Sequence, residues 1–309
     1  MAHIRTCTER RTAKPQLYCS ITTTGVNLFV LISGYFGIKL RWKSLLNILS
    51  TVIFYYLVQF IADILIFDFK PSVGHFINII APISRSPWWF MTCYIVLVLI
   101  SPGLNIVKNN ATDKQYKLII ATLIFLSCIS GFIFTNGLIN PNGFNLFHFV
   151  TLYFVGDAIK RFEIAKYFKT YQLWVIYIIA TMALFVYLKA ISGNTKYNNP
   201  FLMIASVSFF CIFTKTKLNN KKINNIARYM LPLYLLQESP LGFKIYKILY
   251  SKGVELNFTG WEYYHLLAIY IVALLTLAFI LETTRQLLLN RLINNTSNKL
   301  KEKANIFDE

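Results

Sequence analysis

The sequence predicts an all-α integral membrane protein, a polytopic bundle of about nine transmembrane helices. Hydrophobic residues make up 56% of the 309 residues and charged residues only 14%, whereas a soluble domain carries about 25% charged residues. Apolar segments recur along the whole chain, and Lys and Arg collect in the short loops between them. This distribution is typical of membrane proteins and argues against a nucleic-acid partner, despite a net charge of +18.

Apolar runs long enough to cross a bilayer follow one another from residue 20 to residue 284. A spanning helix needs roughly 20 mainly apolar residues, and backbone groups in lipid must be paired within the segment, which favours helices. The fifth run is short, and the eighth is interrupted by Pro232 and by QESPLG at 237–242. The predicted spans are 20–38, 44–66, 88–107, 117–135, 146–159, 171–188, 199–214, 226–249 and 263–284.

The positions of Lys and Arg predict how these helices cross the membrane. Alternate loops hold twice as many basic residues as the loops between them, and Lys244 lies in one of the poorer loops. Because basic loops stay in the cytoplasm, we expect a multi-pass protein of the bacterial inner (cytoplasmic) membrane. The basic tail at 285–309 is then cytoplasmic, exposed and partly disordered.

The N-terminal segment does not fit this arrangement. Residues 1–18 carry four basic residues and one acidic residue, yet the alternation places them outside the cell, against the positive-inside rule. Either they form an external loop, or a helix that should precede them is absent. We therefore expect three regions: a basic segment at 1–18, a transmembrane domain at 19–284 and the tail at 285–309. The basic segment is either such a loop or the remnant of a truncated first helix.

The Cys and His residues predict neither a metal site nor a disulfide framework. The five cysteines include no C-x-x-C pair, and the four histidines are far apart, without an H-E-x-x-H motif. Cysteines within the apolar runs are expected to pack as small buried side chains. His148 begins an apolar run on the predicted outer side. A catalytic base is one interpretation of it, and packing at the membrane interface is the one that we favour.

The stretch GVNLFVLISGYF at 25–36 places Ser33 and Gly34 inside an apolar run. Small residues let membrane helices approach closely, so packing is one explanation for them. The stretch also resembles the second-helix signature of the membrane-bound acyltransferase 3 family, which is a glycine, an apolar run and then S-G-[YF]. Further stretches similar to the family follow in the same order, within about residues 18–285: PWWFMTCYIVLVLISPGLN at 87–105, FHFVTLYFVGDAIKRF at 147–162 and IARYMLPLYLLQESP at 226–240.

The resemblance implies an integral membrane enzyme with about ten helices. Such enzymes move an acyl group, often acetyl, from cytoplasmic acyl-CoA to a sugar of a surface polysaccharide. For this chain it implies acyl-CoA as a co-substrate, no permanently bound cofactor, and a glycan or lipid-linked glycan acceptor in contact with the bilayer. The family's first helix carries an Arg and then, about ten residues later, a His that is thought to act in acyl transfer. This chain has no apolar helix before residue 19. His3 lies at a distance before GVNLFVLISGYF that matches the family's His at the end of a cut first helix, whereas the Arg has no counterpart.

Acyl transfer from a thioester to a hydroxyl needs a base, and a His has a pKa near working pH. The resemblance makes His3 the catalytic candidate, and the alternative is a terminal His without a role. Lys39, Arg41 and Lys43 follow the S-G-Y-F run directly and suit the phosphates of acyl-CoA. The same three cations also suit anionic lipid, so both interpretations stay open.

Polar residues within or beside the predicted spans are candidates for binding the acceptor sugar. Asp63 lies near the outer end of the second run, with Gln59 one turn before it on the same face. Charges inside a span are costly and indicate function, although an interfacial Asp fits equally well. Gln237 and Glu238 lie in the broken eighth run, which could line a cavity. Trp88 could stack on a sugar or belong to the interfacial aromatic belt.

Two other functions fit the same sequence. One is a non-catalytic membrane protein of polysaccharide export or assembly, and the other is an inactive truncated acyltransferase. A transporter is expected to show paired broken helices in two inverted halves, and only the eighth run is clearly broken. The sequence therefore favours a membrane O-acyltransferase that modifies a cell-envelope glycan or exopolysaccharide.

Overall fold

The computed structural model describes residues 20–67, 88–130, 142–192, 196–216, 220–255 and 261–303, and every regular element in these ranges is helical. The prediction of an all-α membrane bundle is confirmed. Wider π-helical turns follow two of the α-helices, at Phe125–Ser130 and Leu188–Ser192, and a 3₁₀ turn lies at Ile164–Tyr167. In chain order the α-helices are α1 Thr24–Phe36, α2 Trp42–Phe67, α3 Trp89–Asn110, α4 Asp113–Ile124, α5 Leu146–Arg161, α6 Thr170–Tyr187, α7 Pro200–Thr214, α8 Lys221–Ala227, α9 Met230–Gln237, α10 Pro240–Glu255 and α11 Trp261–Lys303.

Several helices of the described ranges have the length and composition of membrane spans. Shorter apolar helices lie at Ser20–Phe36 and Pro200–Thr214. The protein is therefore a multi-pass membrane protein. Within the described ranges, four helices are long and apolar enough to cross a bilayer on their own: Trp42–Ile66, Trp89–Asn110, Thr170–Ala190 and His265–Leu300.

The eighth run and the last helix depart from a simple spanning pattern. Residues 220–255 hold three helices, and Pro240 begins α10 at the first helical position, where its missing N–H is not needed. The last helix, α11, continues to Lys303, well beyond the predicted end at 284. The segment expected to be an exposed tail therefore begins as helix, and its Arg285 is only 1% exposed.

The chain divides into two compact units. Residues 3–40 and 93–218 form the first unit, and residues 41–92 and 219–309 form the second. In the first unit α5 and α7 pack on α1, and α6 packs on α7. In the second unit α11 packs on α2, and both α9 and α10 contact these two helices.

A buried ionic network holds α2 and α11 together in the second unit. The guanidinium of Arg285 donates to both carboxylate oxygens of Glu282, at 2.9 Å and 2.6 Å. It also donates to Ser50 Oγ at 2.8 Å and to Asn47 Oδ1 at 3.0 Å, both on α2. Because the charge is paired and four of the five guanidinium N–H donors are bonded, it can be buried in an apolar helix pair.

Candidate functional site

An ion pair inside the second unit joins α2 to α10. The Nζ of Lys244 lies 2.8 Å from Oδ1 of Asp63, and the two side chains are 39% and 16% exposed. Lys244 counts among the loop cations that predict the orientation, although the predicted span 226–249 includes it, and it lies in the first turns of α10. Asp63 is therefore a partly buried carboxylate held by a cation from a neighbouring helix.

A polar side chain without a partner lies next to this ion pair in the sequence of α2. Gln59 precedes Asp63 by one helical turn and is 9% exposed. Its Oε1 has no hydrogen-bond partner among the described residues. Leaving a buried acceptor unpaired costs about 1–3 kcal/mol. Residues i and i+4 share a helix face, so this face of α2 presents an unused acceptor beside a carboxylate.

The predicted break between α9 and α10 belongs to the same unit. Gln237 ends α9 and is exposed, whereas Glu238 is partly buried. At the start of α10, Ser239 Oγ accepts from Gly242 N at 2.9 Å, and Tyr270 donates to the Gly242 carbonyl at 3.1 Å. The first of these bonds satisfies a backbone N–H that the helix start leaves unpaired, which lipid requires. The second ties α10 to α11. They also fix the beginning of the helix that carries the cation of the ion pair.

The other predicted site residues are His3, three cations after α1 and Trp88. His3 falls outside the described residues. Lys39, Arg41 and Lys43 are exposed, so a soluble phosphate can reach them. Trp88 is 1% exposed and packs edge-on against a tyrosine of α2, with ring centroids 6.3 Å apart. Its ring is covered by protein and is not open to a sugar in this conformation.

A fully buried chain of hydrogen bonds in the first unit was not predicted as a site. His148, expected at the membrane interface, is 0% exposed, as are Asn27 and Ser127. His148 Nε2 lies 3.2 Å from Asn27 Oδ1, and His148 Nδ1 lies 3.1 Å from Ser127 Oγ. Asn27 comes from α1, His148 from α5, and Ser127 from the π-helical turn that follows α4. Three polar side chains thus meet inside an apolar bundle.

The surrounding bonds fix where the protons of this chain lie. Asn27 Nδ2 donates to the Tyr197 carbonyl at 3.3 Å, so its Oδ1 is the atom that faces His148. The Nε2 of His148 must then carry hydrogen. Because a charged imidazole that is fully buried is costly, the ring carries no second proton and its Nδ1 accepts from the hydroxyl of Ser127. Asn198 Nδ2 donates to the Ser127 carbonyl at 3.2 Å. The imidazole is therefore neutral, with its free lone pair directed at a serine hydroxyl.

Asparagine side chains cap the two helices, α5 and α7, that begin beside the His148 cluster. Asn145 Oδ1 accepts from the backbone N–H of His148 at 3.0 Å, which sets this histidine in the first turn of α5. Asn199 caps α7 in the same way, through Phe201 N at 2.9 Å. The turn before α7 packs on the turn before α5, where Tyr197 N donates to a backbone carbonyl at 2.9 Å.

A second polar cluster in the first unit lies where α3 and α5 end. Lys108 Nζ lies 2.8 Å from Asp157 Oδ1, with the side chains 7% and 19% exposed. Tyr116 donates to the other oxygen of Asp157 at 2.7 Å, and burial together with this bond raises the pKa of Tyr116. Arg161 donates to two backbone carbonyls at the end of α3, at 2.9 Å each, and pairs with Asp113 at 2.7 Å. This cluster satisfies the last carbonyls of a helix that ends in a basic loop.

A surface hollow of about 590 Å³ lies beside this cluster. Two cations and two aromatic rings are among its lining residues, a combination that suits a nucleotide phosphate and base. The lining residues are Lys117, Arg161, Phe162, Glu163, Ile164 and Tyr167.

Sequence reasoning missed Lys244, Asn27 and Ser127 as site residues. The signal that could have found Asn27 and Ser127 is a polar side chain within an apolar run, since lipid makes such residues costly. The same rule was applied to Asp63 but not to these neutral side chains. Among the described residues no group of three His, Cys, Asp or Glu side chains could hold a metal ion.

The fold and its buried polar sites define a multi-pass helical membrane protein that keeps hydrogen-bonding groups inside an apolar bundle. The chain belongs to the acyltransferase 3 family, since the family model described as an acyltransferase domain matches residues 8–283. Its general activity is therefore membrane acyl transfer. No curated protein and no solved structure matches the chain.

Proposed function

We propose that this protein moves an acyl group, most simply acetyl, from acyl-CoA to a hydroxyl of a cell-envelope or exopolysaccharide sugar. The observation that carries the proposal is the Asp63–Lys244 ion pair with the unpaired Gln59 one turn away. Partly buried charges and unpaired amides are costly in a membrane and are typical of sites that serve a ligand. In an acyltransferase the substrate that needs many hydrogen bonds is the sugar acceptor.

The chemistry of this group suits a sugar. A carboxylate oxygen of Asp63 and the Oε1 of Gln59 accept from hydroxyl groups, and the ammonium of Lys244 donates to a hydroxyl or ring oxygen. Gln237 and Glu238, at the break between α9 and α10, would extend the acceptor site. A glycan or lipid-linked glycan is the partner that this arrangement favours.

The donor would bind where cations are exposed. Lys39, Arg41 and Lys43 are accessible for the phosphates of acyl-CoA. The hollow lined by Lys117 and Arg161 is an alternative position for these phosphates. The positive-inside rule places the basic loops in the cytoplasm, where acyl-CoA is made. We accordingly propose an inner-membrane protein with a cytoplasmic C-terminus.

The base that deprotonates the sugar hydroxyl would be His3, on the resemblance to the family. A test of this role uses membranes from cells that make the wild-type chain or the His3→Ala variant, with radiolabelled acetyl-CoA. Loss of label from the glycan in the variant supports the role. Equal labelling removes His3 from the reaction.

The acceptor site is tested in the same assay with Asp63→Asn. We expect labelling of glycan to fall about tenfold or more, since a charged hydrogen bond is worth about 1.5–3 kcal/mol. Lys247→Gln is the matched control, because this lysine is exposed on the same helix as Lys244. Unchanged labelling in Asp63→Asn would contradict the acceptor site, and absence of labelled glycan with the wild-type chain would contradict the proposed substrate.

A further inference from the structure

We propose that Ser127 is an acyl-accepting nucleophile, with His148 as its base and Asn27 as the residue that orients the base. The proposal rests on acyl transfer as the class of reaction and adds a covalent acyl-serine step to it. The three side chains form one hydrogen-bonded chain, from the serine hydroxyl through both imidazole nitrogens to the carboxamide oxygen.

The distances are those of an activated nucleophile. The 3.1 Å from Ser127 Oγ to His148 Nδ1 and the 3.2 Å from Nε2 to Asn27 Oδ1 lie in the range of nucleophile–base–orienter groups. Such groups are recognised by geometry and roles, because unrelated folds assemble them in different chain orders. Asn27 holds the tautomer that the mechanism needs, since its oxygen keeps the proton on Nε2 and leaves Nδ1 as the base.

The hydroxyl of Ser127 lies beside an imidazole, with its Oγ 3.1 Å from His148 Nδ1. Ser101 and Ser206 are also 0% exposed, and each donates to a carbonyl of its own helix at 2.7 Å. That is the ordinary way for a serine to be satisfied in an apolar helix. Ser127 instead lies in a π-helical turn, a rare element that is frequent at functional sites.

A buried amide donor follows, in the chain, the residue that bonds the carbonyl of Ser127. Asn198 donates to the Ser127 carbonyl, and the following residue is Asn199, which is 0% exposed. Asn199 Nδ2 has no hydrogen-bond partner in the part of the chain that the structure describes. Its Oδ1 caps α7, so the amide group lies at the positively polarised start of that helix. An unpaired buried donor of this kind stabilises an oxyanion more than a neutral carbonyl.

The covalent step balances with an acyl thioester as the co-reactant. Ser127 Oγ gives its proton to His148 Nδ1 and attacks the thioester carbonyl, which forms a tetrahedral oxyanion. The carbon–sulfur bond then breaks, and the leaving thiolate takes the proton from His148, so the products are an acyl-serine ester and a free thiol. An acceptor hydroxyl next gives its proton to His148, which in this two-step route takes the place of His3 as the base, and attacks the ester. The proton passes to Ser127 Oγ as the ester bond breaks.

Burial of the cluster serves this chemistry. An ester in a site closed to water is protected from hydrolysis and can wait for a sugar hydroxyl. Because all three side chains are 0% exposed, the helices around them must part for the thioester to enter. The enclosure therefore lets the acyl-serine form and keeps water from hydrolysing it.

The first test maps the intermediate on the unmodified chain. The purified full-length protein is incubated in detergent with isotope-labelled acetyl-CoA and no glycan, quenched in acid and digested. We expect one acetyl ester, on the peptide that contains Ser127, and its loss when a glycan acceptor is added before the quench. An ester found on another residue would overturn the proposal.

The second test compares variants. Ser127→Ala and His148→Gln are expected to lose the ester and at least about 100-fold of the transfer rate. Ser206→Ala is the matched control, a buried serine without an imidazole, and should keep both. Asn27→Asp retains the oxygen that orients the imidazole and should restore transfer that Asn27→Leu loses. Asn199→Ser keeps a helix cap but removes the unpaired donor, and should slow ester formation.

The outcomes separate this proposal from the proposed function. Labelled glycan at the wild-type rate in Ser127→Ala would overturn the acyl-serine and leave the sugar acceptor in place. An ester on Ser127 without labelled glycan would support the acyl-serine and contradict the sugar acceptor. Label on neither protein nor glycan, with the wild-type chain folded, would contradict both.

Discussion

Gly34 of α1 and Gly156 of α5 face each other so closely that a methyl group added to Gly156 would lie 3.1 Å from the Cα of Gly34. The same methyl group would collide with the carbonyl oxygen of Leu31. One added to Gly34 would collide with the carbonyl oxygen of Tyr153. The two helices therefore touch backbone to backbone, and Gly34 of the motif is explained by packing in this chain.

Replacing Gly34 should separate these helices. We expect Gly34→Ala to lower the free energy of unfolding by about 1–3 kcal/mol, because the obstacle is backbone that cannot turn aside. Denaturant titration of the protein in detergent measures the change. Gly25→Ala is the matched control on α1, since a methyl group there meets nothing within 4 Å, and it should leave stability unchanged or slightly higher. Equal loss in both variants would contradict a close contact at Gly34.

Much of the fold could be predicted because apolar runs and turn signals are local. The predicted span at 199–214 nearly matches Pro200–Thr214, since Asn199 caps the helix and Pro200 suits its first position. The last helix was predicted to end at 284 because polar residues follow. It continues because Arg285 finds partners on α2, which only the tertiary structure provides.

Removing one partner of the buried Lys108–Asp157 pair should be costly. Asp157→Asn leaves the ammonium of Lys108 without its counter-ion, and we expect a loss of about 3–5 kcal/mol in the free energy of unfolding. The exposed pair between Lys166 and Glu163, with side chains 72% and 58% exposed, is the control. Glu163→Gln should cost less than about 1 kcal/mol. Similar losses for the two variants would show that burial does not set the strength of these pairs.

The candidate sites were less predictable than the fold, because each joins residues that are distant in sequence. Asp63 and Lys244 are 181 residues apart, and His148 lies 121 residues from Asn27. Sequence patterns indicated that Asp63 was unusual, since a charge in an apolar run is rare. They could not supply its partner, and the same limit left His148 as an interfacial residue. Pairing across a bundle depends on helix packing, which periodicity within one run does not determine.

The network around Arg285 should require a guanidinium rather than a positive charge. Arg285→Lys keeps the charge beside Glu282 but cannot reach Asn47 and Ser50 together, because an ammonium lacks the planar fork of donors. We expect the variant to lose about 1.5–3 kcal/mol of stability, as two hydrogen bonds to a charged group are lost. Arg291→Lys, at an exposed position of the same helix, should change nothing measurable. Wild-type stability in Arg285→Lys would mean that the bonds to α2 contribute little.

Replacing Gln59 should lower acyl transfer without lowering the free energy of unfolding. Its Oε1 is buried and has no partner among the described residues, so Gln59→Met removes an unsatisfied acceptor and fills a similar volume. We expect the free energy of unfolding to stay equal or to rise by up to about 1 kcal/mol, while acyl transfer to glycan falls. Gln286→Met is the opposite case, because Gln286 donates to Glu282 at 2.9 Å. It should lower stability and leave transfer per folded molecule unchanged. If Gln59→Met were less stable and fully active, Gln59 would have a structural role and the acceptor site would have to be placed elsewhere.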